Sequence, residues 1–152
     1  CKVFTFDPYV RYPPKIAENV YFEKLGVANR NDPPKLLKTL SSIFSAKNHS
    51  NTKITYLKID IEGNEIDGLD EWLKSGALDN VQQIALEYHL QDTISTLKFF
   101  NAVINLYFKG DYRLISYDLN GCARTKHKEY HKFAEIVLMR TSKRTPCIER
   151  VV

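Results

Sequence analysis

The stretch from Lys53 to Leu90 most constrains the fold, because two apolar runs of strand length enclose an amphipathic helical segment. The runs are "KITYLKIDI" (residues 53–61) and "VQQIALEYHL" (residues 81–90). Between them, "NEIDGLDEWLKSG" places Ile66, Leu69 and Leu73 on one helical face, with Gly76 past the end. Such a strand–helix–strand unit predicts a parallel strand pair in an α/β sheet.

The flanking segments extend this pattern in both directions. "CKVFTFDP" predicts a strand that ends at Asp7–Pro8, and "NVYFEKLGVAN" predicts a second one. Residues 33–47 predict a helix that begins at Pro33–Pro34, and residues 93–110 a long helix closed by Gly110. "YRLISYDLNG" and "FAEIVLMRT" predict two strands with no helix between them. We therefore predict an α/β fold with a mainly parallel sheet and an antiparallel strand near its C-terminal end.

Composition limits the classes of protein that fit. The chain has 152 residues, 43% of them hydrophobic, which suffices for one domain spanning residues 1–152. No apolar run approaches the roughly 18 residues of a membrane helix. The net charge of +4 argues neither for nor against a nucleic-acid partner. The basic segment "RTKHKEYHK" predicts a solvated loop, and no nucleic-acid partner is expected because no aromatic stacking platform accompanies it. Cys1, Cys122 and Cys147 lack the CxxC spacing of a zinc site, and Asn48 begins a glycosylation sequon.

Acidic and polar residues follow the predicted strands at the ends where an open α/β sheet binds its ligands. They are Asp7, Asp60 with Glu62, Glu87 with His89, and Asp118 with Asn120. Asp7 has two possible roles, because an acid at this place can bind the ribose hydroxyls of a nucleoside cofactor or cap the turn at Pro8. These positions predict a binding site at one edge of the sheet.

Asp60, Glu62 and His89 are the candidate catalytic residues. Residues two apart on a strand share a face, so Asp60 and Glu62 are expected to point at the same ligand. Two neighbouring carboxylates favour proton uptake, which suits a general base. His89 could act as a base, ligate a metal ion together with the two acids, or be a hydrogen-bonded structural residue. We assign no metal from the sequence, and we interpret Glu65 as an acid that favours the N-terminus of the following helix.

Several segments together resemble the FkbM-type methyltransferases. They are "VFTFDP", "KLGVAN", "TLSSI", "YLKIDIEGNEIDGLDEW" and "IALEYHL", which occur in the order and spacing of that family, and the resemblance extends from Cys1 to about Leu90. The chain is most similar to the animal methyltransferase-like proteins of the group. Many FkbM-type sequences carry an acid where this chain has Ser41, so Ser41 is given no role.

The resemblance implies a Rossmann-like methyltransferase fold that binds S-adenosyl-L-methionine and methylates a hydroxyl oxygen of a small molecule or glycan. It places Asp7 at the cofactor ribose and Asp60 beside the methyl-transfer centre, where a carboxylate also complements the positive sulfonium. A secretory or membrane-anchored location is implied as well, with the cytoplasm as the alternative.

One element of such a fold is not found in the sequence. None of the six glycines forms a GxG motif, and all of them follow Asp7. We therefore expect the chain to be the C-terminal portion of a methyltransferase domain that lacks the N-terminal strand, helix and glycine-rich turn. The 152 residues alone are expected to bind the cofactor weakly. The alternative function is a catalytically inactive, methyltransferase-like binding or scaffold module.

Overall fold

A computed structural model describes residues 1–90, 92–119 and 133–141 of the chain. The described part contains three α-helices and nine strands, in agreement with the predicted α/β class. The basic segment 124–132, Asn120, Cys122 and Cys147 lie outside the described residues. No helix in the described part is long and apolar enough to cross a lipid bilayer.

The main sheet is built from the strands on which the sequence pattern was clearest. It contains β6 (Ile54–Ile59), β7 (Val81–His89), β8 (Tyr112–Leu119) and β9 (Phe133–Arg140). The spatial order is β6-β7-β9-β8; β6 and β7 are parallel, and β9 is antiparallel to both of its neighbours. The parallel pair and the antiparallel C-terminal strand were predicted. The described sheet is nevertheless mixed, with one parallel and two antiparallel pairs, because β9 inserts between β7 and β8.

The N-terminal strands form two further small sheets. One consists of β1 (Val3–Phe6), β2 (Lys15–Ala17) and β3 (Val20–Glu23), and the other of β4 (Gly26–Val27) and β5 (Leu37–Lys38). The prediction of one continuous strand over residues 19–29 was therefore wrong. The chain leaves the first sheet after Glu23, and β4 pairs with β5 instead.

The helix predicted from Pro33 begins later than the sequence suggested. Pro33–Lys35 form only a 3₁₀ turn, which ends at Leu36 in the left-handed conformation, with φ of 57°. After β5, helix α1 (Leu40–Ala46) starts at Thr39, whose side chain accepts a 3.2 Å hydrogen bond from the amide of Ser42. A threonine cap therefore sets the helix start, whereas the prolines only turn the chain.

The two longer helices agree with their predicted spans. Helix α2 (Glu65–Lys74) is followed by Gly76 with φ of +75°, a conformation that glycine adopts without strain. Helix α3 (Thr93–Phe108) begins with a capping box between Asp92 and Ser95.

The core lies where α2 and α3 cover one face of the main sheet. Trp72 on α2 is fully buried, and its indole N–H donates to the carbonyl of Ala28 at 3.4 Å. Ile84 and Leu86 on β7 and Leu106 on α3 are likewise completely buried. This packing fixes the N-terminal end of α2 against the C-terminal end of β7, which is where the candidate site lies.

Candidate functional site

The turn between β6 and α2 carries two of the candidate site residues, Asp60 and Glu62. Strand β6 ends at Ile59, so Asp60 is the first residue after it, and its side chain is exposed. Glu62 and Gly63 both have positive φ, of 55° and 101°. The chain thus reverses sharply within residues 60–64 before α2 begins at Glu65.

Glu65 is the buried centre of this region. Its side chain has no solvent exposure, and its two oxygens accept backbone N–H groups from opposite sides. The amide of Gly63 donates to Oε2 at 2.8 Å, and the amide of His89 donates to Oε1 at 2.8 Å. A single carboxylate therefore ties the turn after β6 to the end of β7, and these charge-assisted bonds offset the desolvation of the group.

The same Glu65 carboxylate also orients the imidazole of His89. Nδ1 of His89 lies 2.9 Å from Oε1 of Glu65, and only 9% of the histidine side chain is exposed. Because the carboxylate already accepts backbone N–H groups, Nδ1 is the donor in this contact. The neutral ring then carries its lone pair on Nε2, on the side away from Glu65.

Nε2 of His89 faces the acids of the turn. It lies 3.5 Å from Oε2 of Glu62, whose side chain is 84% exposed. One ligand atom from each of Asp60, Glu62 and His89 lies within 4.8 Å of the other two. The structure therefore brings the side chains of the three candidate residues together.

The reason given for the pairing of Asp60 and Glu62 was wrong. The prediction had both residues on one face of a strand, but β6 ends at Ile59. The left-handed conformation of Glu62 in the turn, and not strand alternation, directs its carboxylate towards His89.

Sequence reasoning underestimated Glu65. Its place at the helix N-terminus was foreseen, but its burial and its contact with His89 were not. A signal for this was present in the helical period, since Glu65 occurs three, four and seven residues before the buried Gly68, Leu69 and Trp72. A carboxylate in register with an apolar stripe indicates a buried acid with specific partners.

Asp7 directly follows β1, which belongs to the first N-terminal sheet and not to the main sheet. Its Oδ1 accepts hydrogen bonds from the amides of Tyr9 at 2.7 Å and Val10 at 3.0 Å. The turn-capping role left open by the sequence is therefore present, and both of these bonds use the same oxygen.

Two surface cavities of the described part lie away from the cluster. A cavity of about 810 Å³ between α2 and α3 is lined by the Asp67–Lys98 ion pair and by Glu71. A second, of about 460 Å³, lies against β4 and β5. None of Asp60, Glu62 and His89 lines either cavity.

Comparison with known proteins identifies the family. A family model described as the methyltransferase FkbM domain matches residues 14–114. The chain belongs to the FkbM methyltransferase family. The match spans β6, α2 and β7, so the cluster of Asp60, Glu62, Glu65 and His89 belongs to the FkbM domain, whereas Asp7 precedes the matched residues. Neither a search of curated proteins nor a search of solved structures found a match.

Proposed function

We propose that this FkbM-family protein uses S-adenosyl-L-methionine to methylate a hydroxyl oxygen of a small molecule or glycan. The observation that carries the proposal is the cluster at the ends of two parallel strands, where Asp60 and Glu62 are exposed beside a histidine fixed by a buried acid. A methyltransferase fold of the Rossmann-like type is part of the proposal, since such folds bind ligands at this edge.

The donor set fits such a cofactor. The exposed carboxylates of Asp60 and Glu62 complement a positively charged sulfonium. Asp7 uses only Oδ1 in its turn bonds, so Oδ2 is oriented by that turn and would hold a ribose hydroxyl. When bound, the cofactor supplies an electrophilic methyl group.

The protein's part in the chemistry is to position the acceptor and to take its proton. Asp60 accepts a hydrogen bond from the acceptor hydroxyl and receives its proton, because its carboxylate is exposed and directly follows the rigid strand β6. His89 presents Nε2 to the same space, and Glu65 holds that ring at a fixed angle through Nδ1. Glu62 lies at the rim, where it contacts both His89 and solvent.

The test measures cofactor binding and methyl transfer separately on the intact protein. Titration calorimetry with S-adenosylmethionine reports binding, and transfer of a labelled methyl group to a panel of glycosides and small polyols reports turnover. Asp60→Asn should lower turnover by roughly 10²- to 10⁴-fold, the usual contribution of a general base. Asp70→Asn, which neutralises a surface acid paired with Lys74, is the matched control and should keep full turnover.

Failure of both measurements would contradict the proposal. A protein that neither binds the cofactor nor transfers the methyl group would be a scaffold or binding module that keeps the FkbM fold. Equal turnover in the wild type and Asp60→Asn would show that Asp60 is not the general base. The proposed methyltransferase activity itself would then still stand.

A further inference from the structure

We propose that Asp60, Glu62 and His89 bind one divalent cation of the first transition row, with Mn²⁺ as the representative ion. The site consists of two carboxylates from the turn after β6 and one imidazole from the end of β7. Binding of the ion does not depend on the proposed methyl transfer, whereas the role given to the ion below rests on that function.

The spacing of the donor atoms suits a single ion. The three ligand atoms lie within 4.8 Å of one another. Two ligands on one hard divalent cation are separated by at most about 5 Å, because each bond is about 2.0–2.6 Å long. The three side chains can therefore reach one ion with small rotations, and two of them are exposed and free to make such rotations.

The histidine is prepared as a metal ligand by its buried neighbour. Histidines that ligate metals usually donate their other ring N–H to a carboxylate or carbonyl, which fixes the tautomer and the orientation of the ring. Glu65 provides this arrangement, with Nδ1 of His89 at 2.9 Å from its Oε1 and no solvent exposure of the acid. Nε2 is thereby left as the atom with a lone pair on the side of Asp60 and Glu62.

The contact between His89 and Glu62 leaves a place for a cation between the two side chains. Nε2 of His89 and Oε2 of Glu62 are 3.5 Å apart. In the tautomer that carries its proton on Nδ1, both atoms present lone pairs, which repel each other unless a positive charge lies between them. A divalent cation provides that charge, and protonation of the ring is the competing explanation that the experiment must separate.

The mixed donor set and the open surface decide the class of ion and its role. Imidazole nitrogen favours later transition metals, whereas carboxylate oxygen favours Mg²⁺, Ca²⁺ and Mn²⁺, so one nitrogen with two oxygens points to Mn²⁺. Glu62 is 84% exposed, which leaves coordination positions open to water or to a ligand. In the proposed enzyme, the ion would bind the acceptor oxygen and hold it next to Asp60.

The experiment titrates the metal-free intact protein with Mn²⁺ and follows the loss of the free-ion signal by electron paramagnetic resonance. We expect one ion per chain. Glu62→Gln and Asp60→Asn should each weaken binding by at least about tenfold, because each removes one charged ligand. Glu18→Gln makes the same change at an exposed acid outside the cluster and should leave the affinity unchanged. Circular dichroism of each variant confirms that it is folded.

A second measurement tests whether His89 ligates the ion, without substituting the histidine. Electron spin echo spectra of the bound ion should show coupling to a directly ligated nitrogen. No stoichiometric binding, the same affinity in Glu62→Gln and Asp60→Asn as in the wild type, or no nitrogen coupling would each overturn the site. The first of these results would favour a protonated His89 paired with Glu62.

The outcomes also separate the ion from the proposed function. Stoichiometric Mn²⁺ binding by a protein without cofactor binding or turnover would support the metal site and contradict the methyltransferase. Full turnover after removal of metal by a chelator would support the methyltransferase and contradict the role of the ion.

Discussion

The carboxylate of Glu65 contacts His89 twice, accepting its backbone N–H at 2.8 Å and lying 2.9 Å from its ring Nδ1. Both contacts use Oε1, while Oε2 accepts the amide of Gly63. The end of β7 and the turn after β6 are thus joined through one buried acid. The geometry of the site and the stability of the fold consequently depend on the same residue.

Replacing Glu65 should reduce stability more than replacing any exposed acid of the site. Glu65→Gln keeps one acceptor oxygen but leaves buried donors without their charged partner, so we expect a loss of about 1–3 kcal/mol in the free energy of unfolding. Glu62→Gln is the control; its side chain is 84% exposed, and the change should stay within about 0.5 kcal/mol. Urea unfolding measures both, and equal values for the two variants would contradict the role of Glu65.

The tight turn requires glycine at residue 63. Gly63 has φ of 101°, so an alanine there would strain the backbone, and we expect Gly63→Ala to cost about 1–3 kcal/mol of stability. The strain would also displace Glu62 and weaken Mn²⁺ binding. The neighbouring Asn64→Ala, at a residue with φ of −76°, should change stability by no more than about 0.5 kcal/mol. A Gly63→Ala variant with wild-type stability and affinity would show that the turn tolerates a side chain.

Replacing Gly68 on α2 by alanine affects the stability of the protein in two ways, and the two effects act in opposite directions. Helix propensity alone predicts that Gly68→Ala stabilises the protein by about 1 kcal/mol. A Cβ at this position would, however, lie 2.5 Å from the indole of the fully buried Trp72. Because the indole is held in the core, we expect destabilisation by about 1–3 kcal/mol. Thermal and urea unfolding decide the sign, and a more stable variant would mean that the indole can move.

Tyr112 should make the protein sensitive to alkaline conditions. Burial raises the pKa of Tyr112 above its ordinary value of 10.0, although the neighbouring Arg140 opposes the shift. A raised pKa in the folded state favours the protonated form, so this stabilisation is complete below about pH 10 and is lost as the pH rises through the raised pKa. Burial acts in the same direction on the pKa of Tyr88.

The measurement is the melting temperature between about pH 9 and pH 11. In Tyr112→Phe the decline over this range should be smaller than in the wild type, because one buried titrating hydroxyl is gone. The phenol normally donates to the carbonyl of Val81 at 2.7 Å, so the variant should also be less stable at neutral pH. Tyr9→Phe, at a side chain that is 87% exposed, should keep the wild-type decline. If the melting temperatures of the wild type and Tyr112→Phe fall in parallel with pH, the role of Tyr112 in the alkaline sensitivity would be contradicted.

Strong local patterns in the sequence predicted the elements that form the core. The apolar runs of strand length predicted β6 and β7, and the helical segments predicted α2 and α3. The less regular N-terminal region was predicted less well. The strand predicted over residues 19–29 and the helix predicted over residues 33–47 each divide into shorter elements. Pairing of β3 with β1 and of β4 with β5 outweighs the local preference for a longer strand or helix.

The candidate site shows the same division between local and non-local information. The sequence by itself determined that Asp60, Glu62 and His89 lie at the ends of strands, since strand ends and their polar residues are local features. Only the tertiary structure decided that Glu65 is buried beneath them and that Glu62 turns towards His89. The physical reason is that Glu65 and His89 are 24 residues apart in the chain, and a buried contact of this kind arises only when β7 and α2 pack together.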